Sequence, residues 1–449
     1  MTTFADQRLT KESVPLLADY LRRGAKPPGD WKCGLEIEFL GYQKKDFARL
    51  NARQVRRVLA RLAAADRLYY EDDLLVELCL EGLGHVSVEP GGQIEFSGRE
   101  RSTIKAAESD LRVFVNRLNA AAAEQGLIFL TLGYDPLRTI GEQHWYPKRR
   151  YDLMRPYLAA RGARAWDMMT RTCAVQVNLD YLDEDDLVRK FILGNRLAPI
   201  VTAMFARSPF EQGRPSGYKS TRAAAWLQTD DVRCGLAPLA LRDSFSLEDF
   251  VDYTLRVPMI FTRRGQTYSG ANLNRSFGDY LATSDNNEPP PVGGDWIDHL
   301  TTIFTDARIK RYLEVRSVDC QPVTFALAAV ALWKGLFDDR AALQEALRLA
   351  PQLGVAEAAR LRESVARDGL AARAEGIDVL AAAKQIIRLA DEALSRIAPD
   401  ERRYLDPLKE LIIEDELCPA DVLLRNWSGS WHNSMTKVFN YAATDSTAG

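Results

Sequence analysis

The 449-residue chain is poor in the residues that most metal and redox motifs need. It has four histidines, at 85, 144, 299 and 432. None is spaced like a metal-binding helix motif, so histidine-centred chemistry is not the leading expectation. Six cysteines stand at 33, 79, 173, 234, 320 and 418 without a Cys-x-x-Cys pair, which argues against a structural zinc site. In a large cytosolic chain they read as reduced, buried, small apolar side chains. There is no excess of positive charge: 59 basic residues face 62 acidic ones, for a net −3. No basic field therefore points to nucleic acid or an anionic membrane. The first residues, Met1-Thr2-Thr3-Phe4-Ala5-Asp6-Gln7-Arg8, carry no hydrophobic signal core, and a cytoplasmic location is expected. The longest apolar run, about 325–333, is far short of a membrane span and reads as a buried helix.

The familiar phosphate loops are missing as well. No G-x-G-x-x-G follows a strand, and 213–220 has the wrong spacing for G-x-x-x-x-G-K-[ST]. If the chain uses ATP, metals must carry the phosphates, aided by basic residues. The candidates are Lys310, Arg311, Arg316, Arg171, Arg222 and Arg233.

What the chain does have is acidic residues on segments that read as strands. In Gly34-Leu35-Glu36-Ile37-Glu38-Phe39-Leu40, side chains alternate faces, so Glu36 and Glu38 lie together. In Val88-Glu89-Pro90-Gly91-Gly92-Gln93-Ile94-Glu95-Phe96, Gln93 and Glu95 share a face. Gln176, Asn178 and Asp180 share one in Val175-Gln176-Val177-Asn178-Leu179-Asp180, as do Glu314 and Arg316 in Tyr312-Leu313-Glu314-Val315-Arg316. The residues between them, such as Leu35, Ile37, Phe39, Ile94 and Phe96, face a core. A half-exposed antiparallel sheet alternates in the same way without any site. Four strands rich in Glu, Gln and Asn, one entered through Pro90-Gly91-Gly92, favour a site. Crowded carboxylates that lose water are costly, and such a face is tolerable only when open to solvent or holding cations. Hard divalent metals with oxygen ligands, shared with phosphates, fit it.

Helical periodicity marks 11–23, 52–65, 103–125 and 183–205, the last with an acidic start. In 103–125, Leu111, Phe114 and Leu118 fall on one face. Strand signals surround Glu36, 89–96, 128–132, 173–179 and 310–316, and loops are expected at 213–220 and 283–295. From 322 to about 397 the chain is Ala- and Leu-rich, hence helical, and there is no internal repeat. The expected organisation is an N-terminal helical segment (1–30), an α+β core (31–321) and a helical portion packed on it (322–449).

Several stretches resemble glutamate–cysteine ligases of the plant and proteobacterial type. They are Val88-Glu89-Pro90-Gly91-Gly92-Gln93-Ile94-Glu95, the segment from Asp167 through Arg171 to Asp180, and the segment from His299 through Arg308 to Glu314 and Arg316. Ser208-Pro209-Phe210 through Arg222, Trp226, Asp230 and Arg233 matches in order and spacing. Gly429-Ser430-Trp431-His432-Asn433-Ser434 matches near the end. The resemblance covers roughly 30–440. It implies an α+β enzyme related in fold to glutamine synthetase, with an antiparallel sheet curled into a funnel-shaped site. It also implies ATP-dependent joining of the glutamate γ-carboxylate to the cysteine α-amine through a γ-glutamyl phosphate, with Mg²⁺, Mn²⁺ being the other candidate ion. By the same resemblance Glu36, Glu38, Glu89, Glu95 and Glu314 are the expected metal ligands. Arg233, Trp226, Gln93, Asn178 and Arg222 are expected on the substrates, Lys310 and Arg316 on the nucleotide, and Arg316 and Arg171 in catalysis. The partners are small molecules, and a monomer or homodimer is expected.

The chain departs from the family where G-T-E-H-E-K-F becomes Gly34-Leu35-Glu36-Ile37-Glu38-Phe39-Leu40. It departs again where Arg-Ser-His-Ile-Trp becomes Arg222-Ala223-Ala224-Ala225-Trp226, and where R-G-A-D-G-G becomes Arg316-Ser317-Val318-Asp319-Cys320-Gln321. These departures motivate an alternative ligase that joins glutamate to another amine. A binding paralogue without activity is the reading from a different class.

Overall fold

The computed structural model describes residues 3–63, 67–71, 73–282 and 289–444. Its centre is a nine-stranded antiparallel sheet: β1 (Cys33–Gln43), β2 (Arg67–Glu71), β3 (Leu74–Leu80), β4 (Gly84–Val88), β5 (Ile94–Gly98), β6 (Leu127–Leu130), β7 (Ala174–Leu179), β8 (Ala307–Ile309) and β9 (Leu313–Asp319). The order is β8-β9-β7-β1-β5-β4-β3-β2, with β6 on the far half of β1. The eleven residues of β1 are enough to change partners: 33–39 pair with β7 and β5, and 40–43 pair with β6. The fold is therefore the expected α+β class with a large antiparallel sheet.

Helices cover the apolar face. In α1 (Ile104–Ala123), capped by Thr103, the expected Leu111, Phe114 and Leu118 are buried. Phe114 stacks on Phe96 with centroids 4.3 Å apart and tilts against Phe39 at 6.2 Å. A short helix α2 (Ala165–Arg171) leads into β7, and α3 (Glu184–Met204) starts at the Asp183 cap with three acids in its first turn. The six-residue α4 (Thr221–Trp226) lies beyond it. The apolar run forms α5 (Val323–Asp338), buried against β1, β7 and α6 (Val379–Ile397).

Three features depart from the sequence reading. Glu89 and Gln93 are not on a strand but in a turn between β4 and β5. Gly92 takes φ 78° there, and the Glu89 N–H bonds the Gln93 carbonyl at 2.9 Å. The β2–β3 hairpin falls where the sequence reading has no strand: Leu74, Val76, Leu78 and Leu80 share one face of β3, but Leu75 and Cys79 beside Glu77 blur the alternation. Of the expected loop at 283–295, residues 283–288 lie outside the described residues, and Gly293–Leu300 is a helix. The segments around Leu9 and Ala442 are tied to the core. Leu9 N–H bonds the Pro291 carbonyl and Thr131 N–H bonds that of Ala442, so one hydrophobic cluster runs from Leu9 to Ala443.

Candidate active site

Alternation puts Glu36 and Glu38 on the polar face of β1, half-buried between fully buried Leu35, Ile37 and Phe39. Pairing decides their neighbours. Glu38 lies opposite Glu95 on β5, and Ser87 on β4 donates to Glu95 at 2.7 Å. Like charges directly opposite destabilise a sheet. Loss of water, then repulsion from Glu89, pushes the Glu38 carboxyl up to about 8, although Arg222, Arg316 and the Ala174 N–H (2.7 Å) oppose this. Glu95 is raised well above its ordinary value by loss of water and by Glu89, Glu36 and Glu38. Asn178 Nδ2 donates to Glu36 at 2.7 Å.

Two cavities open on this face, one on either side of the Glu36–Glu38 pair. The larger, about 710 Å³, is lined by Glu36, Asn178 and Asp180 with Lys26, Lys32, Arg99, Arg311 and Tyr312. The smaller, about 110 Å³, is lined by Glu38, Glu89, Gln93, Arg150, Arg222, Trp226, Phe304 and Arg316, with Met154, Met168 and Met169. A second apolar cluster of Tyr151, Met154, Met168, Met169 and Phe261 backs its wall. Three buried donors on its lining residues, Arg150 Nε, Arg222 Nε and Trp226 Nε1, have no partner among the described residues. Buried donors left unpaired are costly and rare, and a ligand that accepts from them resolves the cost.

Several expected site residues are engaged elsewhere. Glu314 is completely buried and holds Arg308 through two bonds of 2.8 and 2.9 Å, Lys310 at 3.0 Å, and Arg316. Burial opposes its ionisation, but the three cations outweigh it and keep the carboxyl well below its usual range. With both oxygens occupied, Glu314 orients cations and is not an open metal ligand. Lys310 is correspondingly tied to Glu314 and Tyr312 and lines neither cavity. Arg233 is also fully buried. Its five N–H groups go to Asp230, the Thr302 carbonyl and hydroxyl, the Tyr157 hydroxyl and the Pro258 carbonyl. No donor remains for an acceptor carboxylate, so Arg233 pins segments together instead of clamping substrate. Arg171 pairs with Asp167 at 2.6 Å and Glu211 at 3.0 Å over the Tyr134 ring and lines neither cavity, although its chain neighbours Met169 and Thr172 line the smaller one. Gln93 lines the small cavity, but its amide is taken up by the Gly91 N–H and the Met169 and Thr172 carbonyls.

Arg150 was missed by the sequence reading. Its guanidinium lies over the Tyr151 and Phe261 rings, at 5.8 and 5.5 Å, beside the acidic turn. The only available signal was the basic run Lys148-Arg149-Arg150, which caps and opens a helix. All six cysteines are free, and four of them are buried.

For a cation, the donor chemistry fits. Glu38, Glu89 and Glu95, with Glu36 adjoining, are oxygen donors whose mutual repulsion a divalent ion would relieve. Among the described residues, no three such side chains converge on a ready-made site.

The profile of the family described as glutamate–cysteine ligase family 2 matches residues 32–440. The chain is 35% identical over 445 residues to the chloroplastic glutamate–cysteine ligase of Solanum lycopersicum, covering 97% of this chain and 83% of that one. It is 36% identical over 441 residues to that of Arabidopsis thaliana, with the same coverage. Among solved structures, the fold is shared with a Francisella tularensis glutamate–cysteine ligase in complex with AMP. That match has a TM-score of 0.55 at 12% identity and covers 93% of this chain and 90% of the other.

Proposed function

This chain belongs to glutamate–cysteine ligase family 2, and on that premise we propose that it makes γ-glutamylcysteine from glutamate, cysteine and ATP. The observation that carries the reading is the pair of cavities flanking Glu36 and Glu38, the smaller lined by three guanidiniums, of which Arg150 and Arg222 each carry an unpaired donor, as does the Trp226 indole. The larger cavity has the size for a nucleotide, and Lys26, Lys32, Arg99 and Arg311 on its lining, balanced by Glu36, Glu81, Glu100 and Asp180, are the cations available to phosphates. The smaller supplies recognition groups for amino-acid carboxylates beside a phosphoryl group. Arg150 and Arg222 face carboxylates and Arg316 faces transferred charge, while Trp226, Phe304 and the methionines form an apolar wall for a thiol.

The chemistry needs positioning more than covalent participation by the protein. The glutamate γ-carboxylate attacks the γ-phosphorus of ATP, the bond to ADP breaks, and an acyl phosphate forms. The cysteine amine then attacks the acyl carbon and phosphate leaves. Arg316, fixed by Glu314 and Gln176, stands where negative charge accumulates. A divalent cation, Mg²⁺ by its oxygen-only ligands, would be held by Glu38, Glu89, Glu95 and Glu36 and would supply charge neutralisation on the phosphates.

The test is purified protein with ATP, glutamate and a panel of amines, recording ADP release and product mass with and without chelator. Cysteine-dependent ADP release that chelator abolishes is expected, with 2-aminobutyrate nearly as good, since the thiol fills only a small apolar corner. Preference for an amine without an α-carboxylate would replace this reading with the alternative amine ligase.

A further inference from the structure

We propose that Asp319 is a positioning residue that aims Arg222 and Trp226 into the smaller cavity. The inference rests on the ligase reading for its kinetic consequences, and on hydrogen bonds for its geometry. Asp319 is the last residue of β9 and is 1% exposed. Its Oδ2 accepts the Arg207 N–H at 2.8 Å and the Ser208 hydroxyl at 2.6 Å. Its Oδ1 accepts the Ser220 hydroxyl at 2.8 Å and faces Arg222 Nη1 at 3.8 Å. One carboxylate thus gathers both ends of the 207–220 excursion and the guanidinium beyond it.

What it gathers is the start of α4. Ser220 caps this helix by accepting the Ala223 N–H at 3.0 Å, while Ser208 accepts the Arg222 N–H through its hydroxyl and the Thr221 N–H through its carbonyl. Six residues are too few to hold a helix by themselves, so the place of α4 is set by these contacts. Arg222 is its second residue and Trp226 its last, and both line the smaller cavity. Arg222 Nη2 also bonds the Arg316 carbonyl at 2.8 Å. Strand β9 therefore presents Arg316 to the cavity and, three residues on, anchors the element that faces it. Arg316 lies within the β7–β9 irregularity between Val315 and Val318, and Asp319 lies just beyond it, paired with Ala174.

An apolar side chain could seal this strand end without desolvating a charge. A carboxylate adds direction, because four donors must converge on two oxygens. Gly133 marks how closely the group is held: a Cβ there would sit 2.5 Å from Asp319 Cγ.

The experiment uses the full chain with Asp319→Asn, Gly133→Ala and Arg222→Lys, alone and with Asp319→Asn and Arg222→Lys combined. Asp319→Asn replaces one acceptor by a donor and should raise KM for glutamate or cysteine roughly ten- to a hundred-fold, leaving KM for ATP unchanged. Gly133→Ala, which keeps the carboxylate but displaces it, should give a smaller shift of the same kind. In the Arg222→Lys background Asp319→Asn should cost less than it does alone, since both act through the one short helix. A merely structural carboxylate would lower melting temperature and active fraction and leave every KM alone, and that result, or an additive cycle, overturns the proposal. If wild-type protein shows no ligase turnover, the ligase reading falls first. The crystal structure of Asp319→Asn then judges the geometry independently of activity: α4 displaced is expected, and α4 in place overturns the proposal.

Discussion

Glu38 and Glu314 are both glutamates on strands of one sheet, and their neighbours give them opposite work. Glu38 faces other carboxylates and open space, so Glu38→Gln removes repulsion as well as a ligand charge. Turnover should fall by orders of magnitude while the melting temperature holds or rises. Glu314 is enclosed by Arg308, Lys310 and Arg316, so Glu314→Gln leaves one buried and two half-buried cations without their counter-charge. That loss should destabilise the fold by about 3–5 kcal/mol, measured by denaturant unfolding. Equal stability of the two variants would contradict the assignment. His299 gives a pH signature of a different kind. It is buried, with Nε2 bonded to the Thr254 carbonyl at 2.9 Å, and loss of water lowers its folded pKa to about 3. The unfolded value is about 6.5, so the fold favours the neutral ring. Its contribution is fully present above about 6.5 and is lost as pH falls towards about 3. Melting curves of wild type and His299→Gln across that window should converge as the pH drops, and parallel curves would remove the effect.

The turn Pro90-Gly91-Gly92 illustrates how an element places a residue that strand periodicity misassigns. It lifts Glu89 off the strand and into the small cavity, and Gln93 ties it to the end of α2. A Cβ on Gly91 would collide with the backbone of Thr170. Gly91→Ala should therefore displace the turn from α2 and reduce turnover about ten-fold or more. Gly29→Ala, which meets nothing within 4 Å, is the control and should leave turnover unchanged. Unaltered kinetics in Gly91→Ala would mean that the turn relaxes without moving Glu89. Arg233 belongs to this scale as well. Its fork holds the 230 turn, the helix that carries Tyr157, and the 258 and 302 segments in one arrangement, a role that spacing from Trp226 could not reveal.

At the scale of the molecule, the last helix, Met435–Ala442, seals the sheet. Phe439 stacks on Phe47 at 4.0 Å and meets Tyr42 edge-on at 4.9 Å, while the Thr444 N–H bonds the Phe129 carbonyl. Val438, Phe439 and Ala442 are fully buried, and each large side chain is worth about 1.5–3 kcal/mol. Truncation after 434 should lower the melting temperature by roughly 5 °C or more and expose the edge of β6. The hydrophobic cluster is continuous from Leu9 to Ala443, so unfolding of the intact chain should follow a single transition in calorimetry. A separate transition for the helical C-terminal portion would show that it folds alone.

The amino-acid sequence by itself determined what depends on near neighbours. Alternation along 34–40 and 173–179 marked the strands and the polar faces of Glu36, Glu38 and Asn178, because the period of a strand is local. The acidic start of 183–205 and the apolar stripe of Leu111, Phe114 and Leu118 marked helices in the same way, and the combined motifs identified the family. Only the tertiary structure decided which glutamate meets which charge. Pairing of β1 with β5 sets Glu38 against Glu95, and folding of β9 back on β8 hands Glu314 to Arg308. Those pairings follow from strand register and topology, which a residue's own surroundings in sequence do not encode. For the same reason Arg150 gained a role and Arg233 lost one. An arginine's function depends on which acceptors reach its five donors, and here they come from segments up to 76 residues away.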